Sequence, residues 1–449
     1  MAAVRPAAVA GTFYPGNARA LADELDELLA GAGALAPRVA FPKALIVPHA
    51  GYLYSGAVAA GAYDALRPAR GVVRRVVLLG PVHRVAVRGL ATTSDEAFAT
   101  PLGAIPIDRE ALASLKDLPQ VMTSDAAHAL EHSLEVQLPF LQKMLGTFSL
   151  VPFAVGMASV AEVAQVIERL WGGPETLIVI STDLSHYHAY DEARRIDGNT
   201  ISRISGFASD LDHEEACGAT PLNGFLSLAK GKNLSLKLLA ACNSGDSAGG
   251  RDRVVGYSAF GLYEGGAPSL DDAGRALIAL ARAAIESSLF ATREIQSDSP
   301  WLEQCGATFV TLTKDGQLRG CIGSLEAARP LATDVAQNAL GAAFRDPRFP
   351  RLAADEWPRC RIEVSLLSAS QRLEFADEAE LLAQLEPGVD GVILEADNRR
   401  ATFLPQVWES LPDKRAFLAE LVKKAGLPAD TRLGRCKVSR YRVAKFHEG

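Results

Sequence analysis

Four apolar runs in the first half of this sequence each lead into a side chain that can bind a metal or move a proton. "ALIVP" is followed by His49, "VVLLGPV" by His83, "LIVIST" by Asp183 and then His186, and "LKLLAA" by Cys242. Imidazole nitrogens, a thiolate and a carboxylate are donors that mid-series transition metals prefer, and iron, copper or zinc each accept two histidines plus one anion. No HExxH or CxxC spacing is present, so the reading rests on shared placement at strand ends. Taken singly, each residue also has a plainer role. Cys242 could be a small buried hydrophobe, Asp183 and Ser185 helix caps, and His49 a partner for nearby backbone.

The elements that must position these residues alternate. Asn17 can cap a helix whose Leu21, Leu25, Leu28 and Leu29 share a face. Short apolar strands follow at "KALIVP", "RVVLLG", "FSLVPFAVG", "TLIVIST" and "LSLKLLAAC", with "EHSLEVQLPFLQKML" and "VAEVAQVIERLW" as helical stretches between them, and "VVGYSAFGLY" closes the half. This order predicts an α/β fold with a largely parallel sheet flanked by helices, because parallel connections need room for a crossover. Ligands in such sheets gather beyond the carboxyl ends of the strands. Within "EHSLEVQLPF", Glu131 and Glu135 stand at i,i+4 spacing with His132 beside them, and the pattern alone favours a half-exposed amphipathic helix.

The 449 residues suit two or three domains. Acidic residues (53) outnumber lysine plus arginine (46), which argues against general nucleic-acid or anionic-membrane binding. No apolar run approaches a membrane span, and Arg5 and Pro6 interrupt the stretch a signal peptide would need. Six scattered cysteines fit reduced thiols and a cytoplasmic protein.

Glu264 to Gly274 reads as a linker, dividing the chain into 1–265, a joint over 266–274, and 275–449. The second domain opens on an amphipathic helix, and its "KDGQ" turn between apolar runs predicts antiparallel pairing in a smaller α+β domain. There "QLRGCIGSLEAARPL" and "AFRDPRFPRLAADEW" place Cys321 between glycines and supply Arg319, Arg345 and Arg348 as an anion-binding surface, with Asp346 steering one of them. The structural alternative is a glycine-bent strand beside a surface ion-pair loop.

"VPHAGYLYSG", "LLGPVHRV", "EHSLEVQLPF", "STDLSHYH" and "ACGATPLNGF", with the later Cys242, together resemble the Memo family over most of residues 1–265. That family is similar in fold to class III extradiol (protocatechuate-type) dioxygenases, which hold non-haem Fe(II) with two histidines and a carboxylate. The resemblance implies metal ligands His49, His83 and Cys242, with His186 and Asp183 as catalytic acid/base and orienting partner. Tyr54, Phe13, Tyr14, Glu131 and His132 are pocket candidates. Fe(II) is the expected metal, with copper or zinc as alternatives, and a competing ligand set exchanges Cys242 for Asp183.

With "LRGCIG" as the hallmark and "EVSLL", "GVDGVIL", "ATFLPQVW" and "RYRVAKF" beside it, roughly residues 270–446 resemble the AMMECR domain, and the two parts together resemble components of the AmmeMemoRadiSam system. No CxxxCxxC motif occurs, so the radical-SAM component would be a separate partner. These features imply a metal-dependent oxidoreductase acting on a small-molecule substrate. A non-catalytic scaffold using the same pocket for recognition, and a zinc hydrolase, are the competing classes.

Overall fold

The computed structural model describes residues 3–32, 40–264, 270–291, 299–368, 370–373, 375–396, 399–428 and 431–448. Two compact units emerge, one formed by Met1–Ala34 with Ala40–Ala267, the other containing Pro268–Gly449.

In the first unit, Asn17 caps the helix Ala18–Gly31 by accepting from the N–H groups of Arg19 and Ala20, at 2.9 and 3.2 Å. Its Leu21, Leu25 and Leu29 are buried. The apolar runs become a nine-stranded sheet. Its main path runs His186–His188, Val254–Tyr263, Ala44–Val47, Thr176–Ser181, Arg75–Pro81, Ser149–Val155, Leu90–Thr92 and Val121–Thr123, with Ser235–Asn243 also paired to Val254–Tyr263.

Successive strand residues feed two different cores because side chains alternate across a sheet. Leu45, Val47, Leu78 and Val179 join Leu21, Leu25 and Phe140 in one. Ala44, Ile46, Val77, Ile178 and Ile180 join Val163, Ile167 and Phe225 in the other. Helices therefore cover both faces, and the central strands are apolar over most of their length, with polar residues only at strand ends such as Arg75, Thr176 and Ser181.

The sheet is mixed, more so than the sequence suggests. Ala44–Val47, Thr176–Ser181, Arg75–Pro81 and Ser149–Val155 are parallel neighbours. Val254–Tyr263 runs antiparallel to both Ala44–Val47 and Ser235–Asn243. The connection over 244–253 contains only the turn Ser244–Asp246, and a parallel crossover normally takes a dozen or more residues.

A second departure concerns "EHSLEVQLPF", where regular helix starts only at Leu138, after a 3₁₀ turn at Glu135–Gln137. Glu131 lies before both elements, so Glu131 and Glu135 do not share one helical face. Both are buried, at 2% and 0% exposure, which removes the half-exposed amphipathic helix as an explanation.

The second unit is α+β. One antiparallel sheet runs Gln317–Gly323, Thr308–Lys314, Cys360–Leu367, Val443–His447, and another Gln371–Leu373, Lys437–Tyr441, Gly391–Ala396, Arg399–Phe403. The "KDGQ" hairpin closes through Asp315 and Gly316, both at positive φ (50° and 79°), as a primed turn requires. Of the expected joint over 266–274, residues up to 269 lie outside the described ones. Residues 270–274 already belong to the helix Leu270–Phe290, with Asp271 and Asp272 in its first turn.

Candidate metal centre

His49 follows the strand Ala44–Val47, and His83 follows Arg75–Pro81. Thr176–Ser181 lies between those two strands, so the histidines approach each other above its end. His132 arrives from the loop before the 3₁₀ turn. The ring centroids are 5.3 Å (His49–His83), 5.5 Å (His49–His132) and 4.7 Å (His83–His132) apart. Each imidazole offers one nitrogen, and the three nitrogens lie within 4.8 Å of one another.

Hydrogen bonding determines which nitrogen of His49 faces the others. Ser181 Oγ accepts from Gln137 Nε2 at 2.8 Å and donates its single proton to Ser133 O at 2.6 Å. His49 Nδ1, 2.9 Å from the same Oγ, must therefore carry a hydrogen and donate it, leaving Nε2 with a lone pair. Burial lowers the pKa of His49 well below the ordinary value, and the imidazoles of His83 and His132 lower it further, so the ring is neutral.

His83 is held by one carboxylate through two contacts. Its Nδ1 lies 2.8 Å from Glu131 Oε1, and its backbone N–H donates to Oε2 at 2.7 Å. Burial would raise the Glu131 pKa, but His83 and the N–H groups of Ser133 and His83 hold it at about 2. Because Glu131 is ionised, Nδ1 of His83 is the donor and Nε2 is free to ligate. His132 Nδ1 is 3.4 Å from the same Oε1. The carboxylate thus orients the His83 imidazole and accepts the His132 backbone N–H at 3.0 Å, and a carboxylate behind a histidine fixes ring direction in metal sites.

Other expected residues fall around this group. Asp183 Oδ1 accepts the His49 backbone N–H at 2.7 Å, its Oδ2 is 4.0 Å from His49 Nε2, and burial raises its pKa. His186 starts the short strand His186–His188, and its Nδ1 meets Leu184 O at 2.8 Å. A carbonyl only accepts, so Nε2 of His186 is the basic nitrogen. The Phe13 ring centroid is 4.9 Å from that of His132. Tyr14 turns away and donates to Glu135 at 2.6 Å, and Tyr54 is 39% exposed on the helix Tyr52–Tyr63.

The expected cysteine is not part of the three-nitrogen group. Cys242 pairs with Tyr257 while Phe260 pairs with Ile46, so Cys242 is level with the end of the His49 strand. The strand Val254–Tyr263 stands between them, and two strand spacings amount to roughly 10 Å. Cys242 lines a separate cleft with Tyr190, Arg194 and Asp246. A different thiol touches the site. Cys217 Sγ is 3.3 Å from His49 Nε2 and accepts the Asp183 N–H at 3.3 Å. Burial, aided by the Asp183 carboxylate, pushes this thiol up to about 12. Cys217 sits inside the quoted "ACGATPLNGF", but it follows no strand, and no spacing singles it out.

In the second unit, Arg319 is 7% exposed and pairs with Glu356 at 2.9 Å. Arg348 pairs with Asp346 at 2.7 Å, Asp346 also accepts the Cys321 N–H at 2.9 Å, and Arg345 donates to Gln337 O. Asp346 thus steers Arg348. Arg319 shares Glu356 with Lys314, whose Nζ lies 2.7 Å from that carboxylate, and Arg345 is on a carbonyl, so each of the three guanidinium groups has a different partner.

The first unit is therefore an α/β protein with a three-histidine pocket suited to a transition metal, and the second a smaller α+β unit. The chain belongs to the Memo family, joined to an AMMECR1 domain: residues 5–260 match the family described as Memo-like protein and residues 278–446 the family described as AMMECR1. This pairing matches two components, B and A, of the AmmeMemoRadiSam architecture. The chain is 36% identical over 268 residues to a MEMO1 family protein of Aquifex aeolicus, covering 57% of this chain and 97% of that one. It is also 36% identical over 284 residues to a MEMO1 family protein of Methanopyrus kandleri, covering 58% and 99%. An uncharacterized protein of Pyrococcus horikoshii, known as a crystal structure, is 35% identical with a TM-score of 0.37, covering 40% of this chain and 92% of that one.

Proposed function

We propose that the first unit is a metal-dependent oxidoreductase of the non-haem dioxygenase type. His49, His83 and His132 would hold Fe(II), with copper or zinc as alternative occupants. The observation that carries this reading is the convergence of three imidazole nitrogens within 4.8 Å, with Ser181 and Glu131 engaging the other nitrogen of His49 and His83. Three neutral nitrogens on one side of an ion leave positions for other ligands.

A ferrous ion there would supply a place where dioxygen and an electron-rich small molecule meet. The protein's own groups supply the rest. His186 presents Nε2 as a base for a substrate proton, and it is near enough to influence the charge of both His49 and Asp183. Asp183 fixes the His49 backbone, and Phe13 closes one side of His132. Six unbridged cysteines suit a reducing compartment, so we place the protein in the cytoplasm. No described helix is long and apolar enough to cross a membrane. A separate radical-SAM enzyme is the proposed partner.

Metal analysis after anaerobic purification tests the reading. One iron per chain is expected, lost in His49→Ala, His83→Ala and His132→Ala and retained in Cys242→Ser. Retention of metal by the triple histidine variant, or failure of the wild type to take up any metal, would overturn it.

A further inference from the structure

A cavity of about 790 Å³ opens beside this centre, with His83 and Cys217 in its lining. Its walls are mainly apolar, including Val82, Val87, Met122 and Met157, and the two methionines are 43% and 70% exposed. Backbone pairing makes one rim rigid: Met157 N–H donates to Val87 O at 2.9 Å, and Gly89 N–H to Met157 O at 2.8 Å. A Cβ at Gly156 would lie 2.1 Å from Val87 O, so only glycine allows the two segments this close.

The lining contains no carboxylate and one permanent cation, Arg88, five residues beyond His83 on the same loop. No described carboxylate pairs with Arg88. His213, the other titratable group besides His83 and Cys217, is engaged by Cys217 O at 3.1 Å and Thr220 Oγ1 at 3.3 Å. A fixed positive charge at a mainly apolar cleft favours a ligand that is apolar along its body and anionic at one end, since guanidinium pairs with carboxylate or sulfonate through charge-assisted hydrogen bonds.

We infer that this cleft is the substrate channel of the metal site and takes a small apolar acid whose anionic group docks on Arg88 while its reacting end faces His83. This inference rests on the proposed function for the word substrate, but the binding itself does not need the metal.

Fluorescence titration of the metal-free full chain with two probes tests it: anilinonaphthalene sulfonate, which is anionic, and phenylnaphthylamine, its neutral counterpart. The wild type should bind one sulfonate probe, about tenfold tighter than the neutral one. Arg88→Gln should bring the sulfonate to the neutral probe's affinity and leave the latter unchanged, while Met157→Trp, which fills the cleft, should weaken both. Equal affinities in the wild type, or no effect of Arg88→Gln, would overturn the inference. Loss of the metal reading with this pattern intact would leave an acid-binding cleft, so the two failures are distinguishable.

Discussion

His83 and Glu131 are joined twice, ring nitrogen to Oε1 at 2.8 Å and backbone N–H to Oε2 at 2.7 Å, although 48 residues separate them in sequence. One carboxylate sets both the direction of the imidazole and the path of the chain that carries it. Glu131→Gln keeps the shape, but it removes the negative charge and one acceptor. Metal affinity should fall by about 10- to 100-fold, the usual effect of losing a carboxylate behind a ligating histidine. Competition against a chelator of known affinity measures this, and unchanged affinity would refute the orienting role.

Glu135 does different work from its neighbour. It is fully buried and accepts from Arg5 at 2.7 Å, from the N–H groups of Ala8 and Val9 at 2.7 and 2.9 Å, and from Tyr14 at 2.6 Å. It thereby pins the segment that brings Phe13 against His132. Glu135→Ala leaves Arg5 buried without its partner and should destabilise the protein by about 3–5 kcal/mol. Denaturant unfolding reads this loss, and a change below about 1 kcal/mol would show that the segment is held by other means.

A third expectation concerns acid. Burial lowers the pKa of His128 to about 4, and its Nε2 meets Ala91 O at 2.9 Å. The unfolded chain has an ordinary histidine near 6.5, so between these values the unfolded state binds more protons. The contribution is therefore complete above about pH 6.5 and is lost as pH falls toward 4, by up to about 3 kcal/mol. In His128→Gln the fall in stability across that window should be smaller by a comparable amount. Parallel curves for the two proteins would contradict the buried neutral ring.

In the second unit, the test is steric. A Cβ on Gly320 would sit 2.1 Å from Ala342 O in the helix Leu331–Phe344, a backbone atom that cannot swing aside. Gly320→Ala should force the strand Gln317–Gly323 off that helix and cost a few kcal/mol, on the scale of overpacking a tight core. Near-normal stability in this variant would mean that the contact yields easily. This contact accounts for Gly320 beside Cys321, while a Cβ on Gly323 would meet the Phe309 ring at 2.2 Å.

Much of the architecture was legible along the chain because it is written in local periods. Asn17 before a leucine face, the apolar strands, and Asp315-Gly316 between alternating runs depend on neighbours within a few residues. His49 and His83 were found the same way, each just past the end of its strand.

The membership of the site was decided in three dimensions. Strand order puts Thr176–Ser181 between the two histidine strands, and it puts Val254–Tyr263 between His49 and Cys242. No local pattern records that order, which depends on how the crossovers pack. The same holds for His132, Glu131 and Cys217, which reach the centre on loops and follow no strand. Sequence by itself determined which side chains could serve chemistry and which elements would carry them. Tertiary structure alone decided which of them meet, because a metal site depends on separations of a few ångströms between segments distant along the chain.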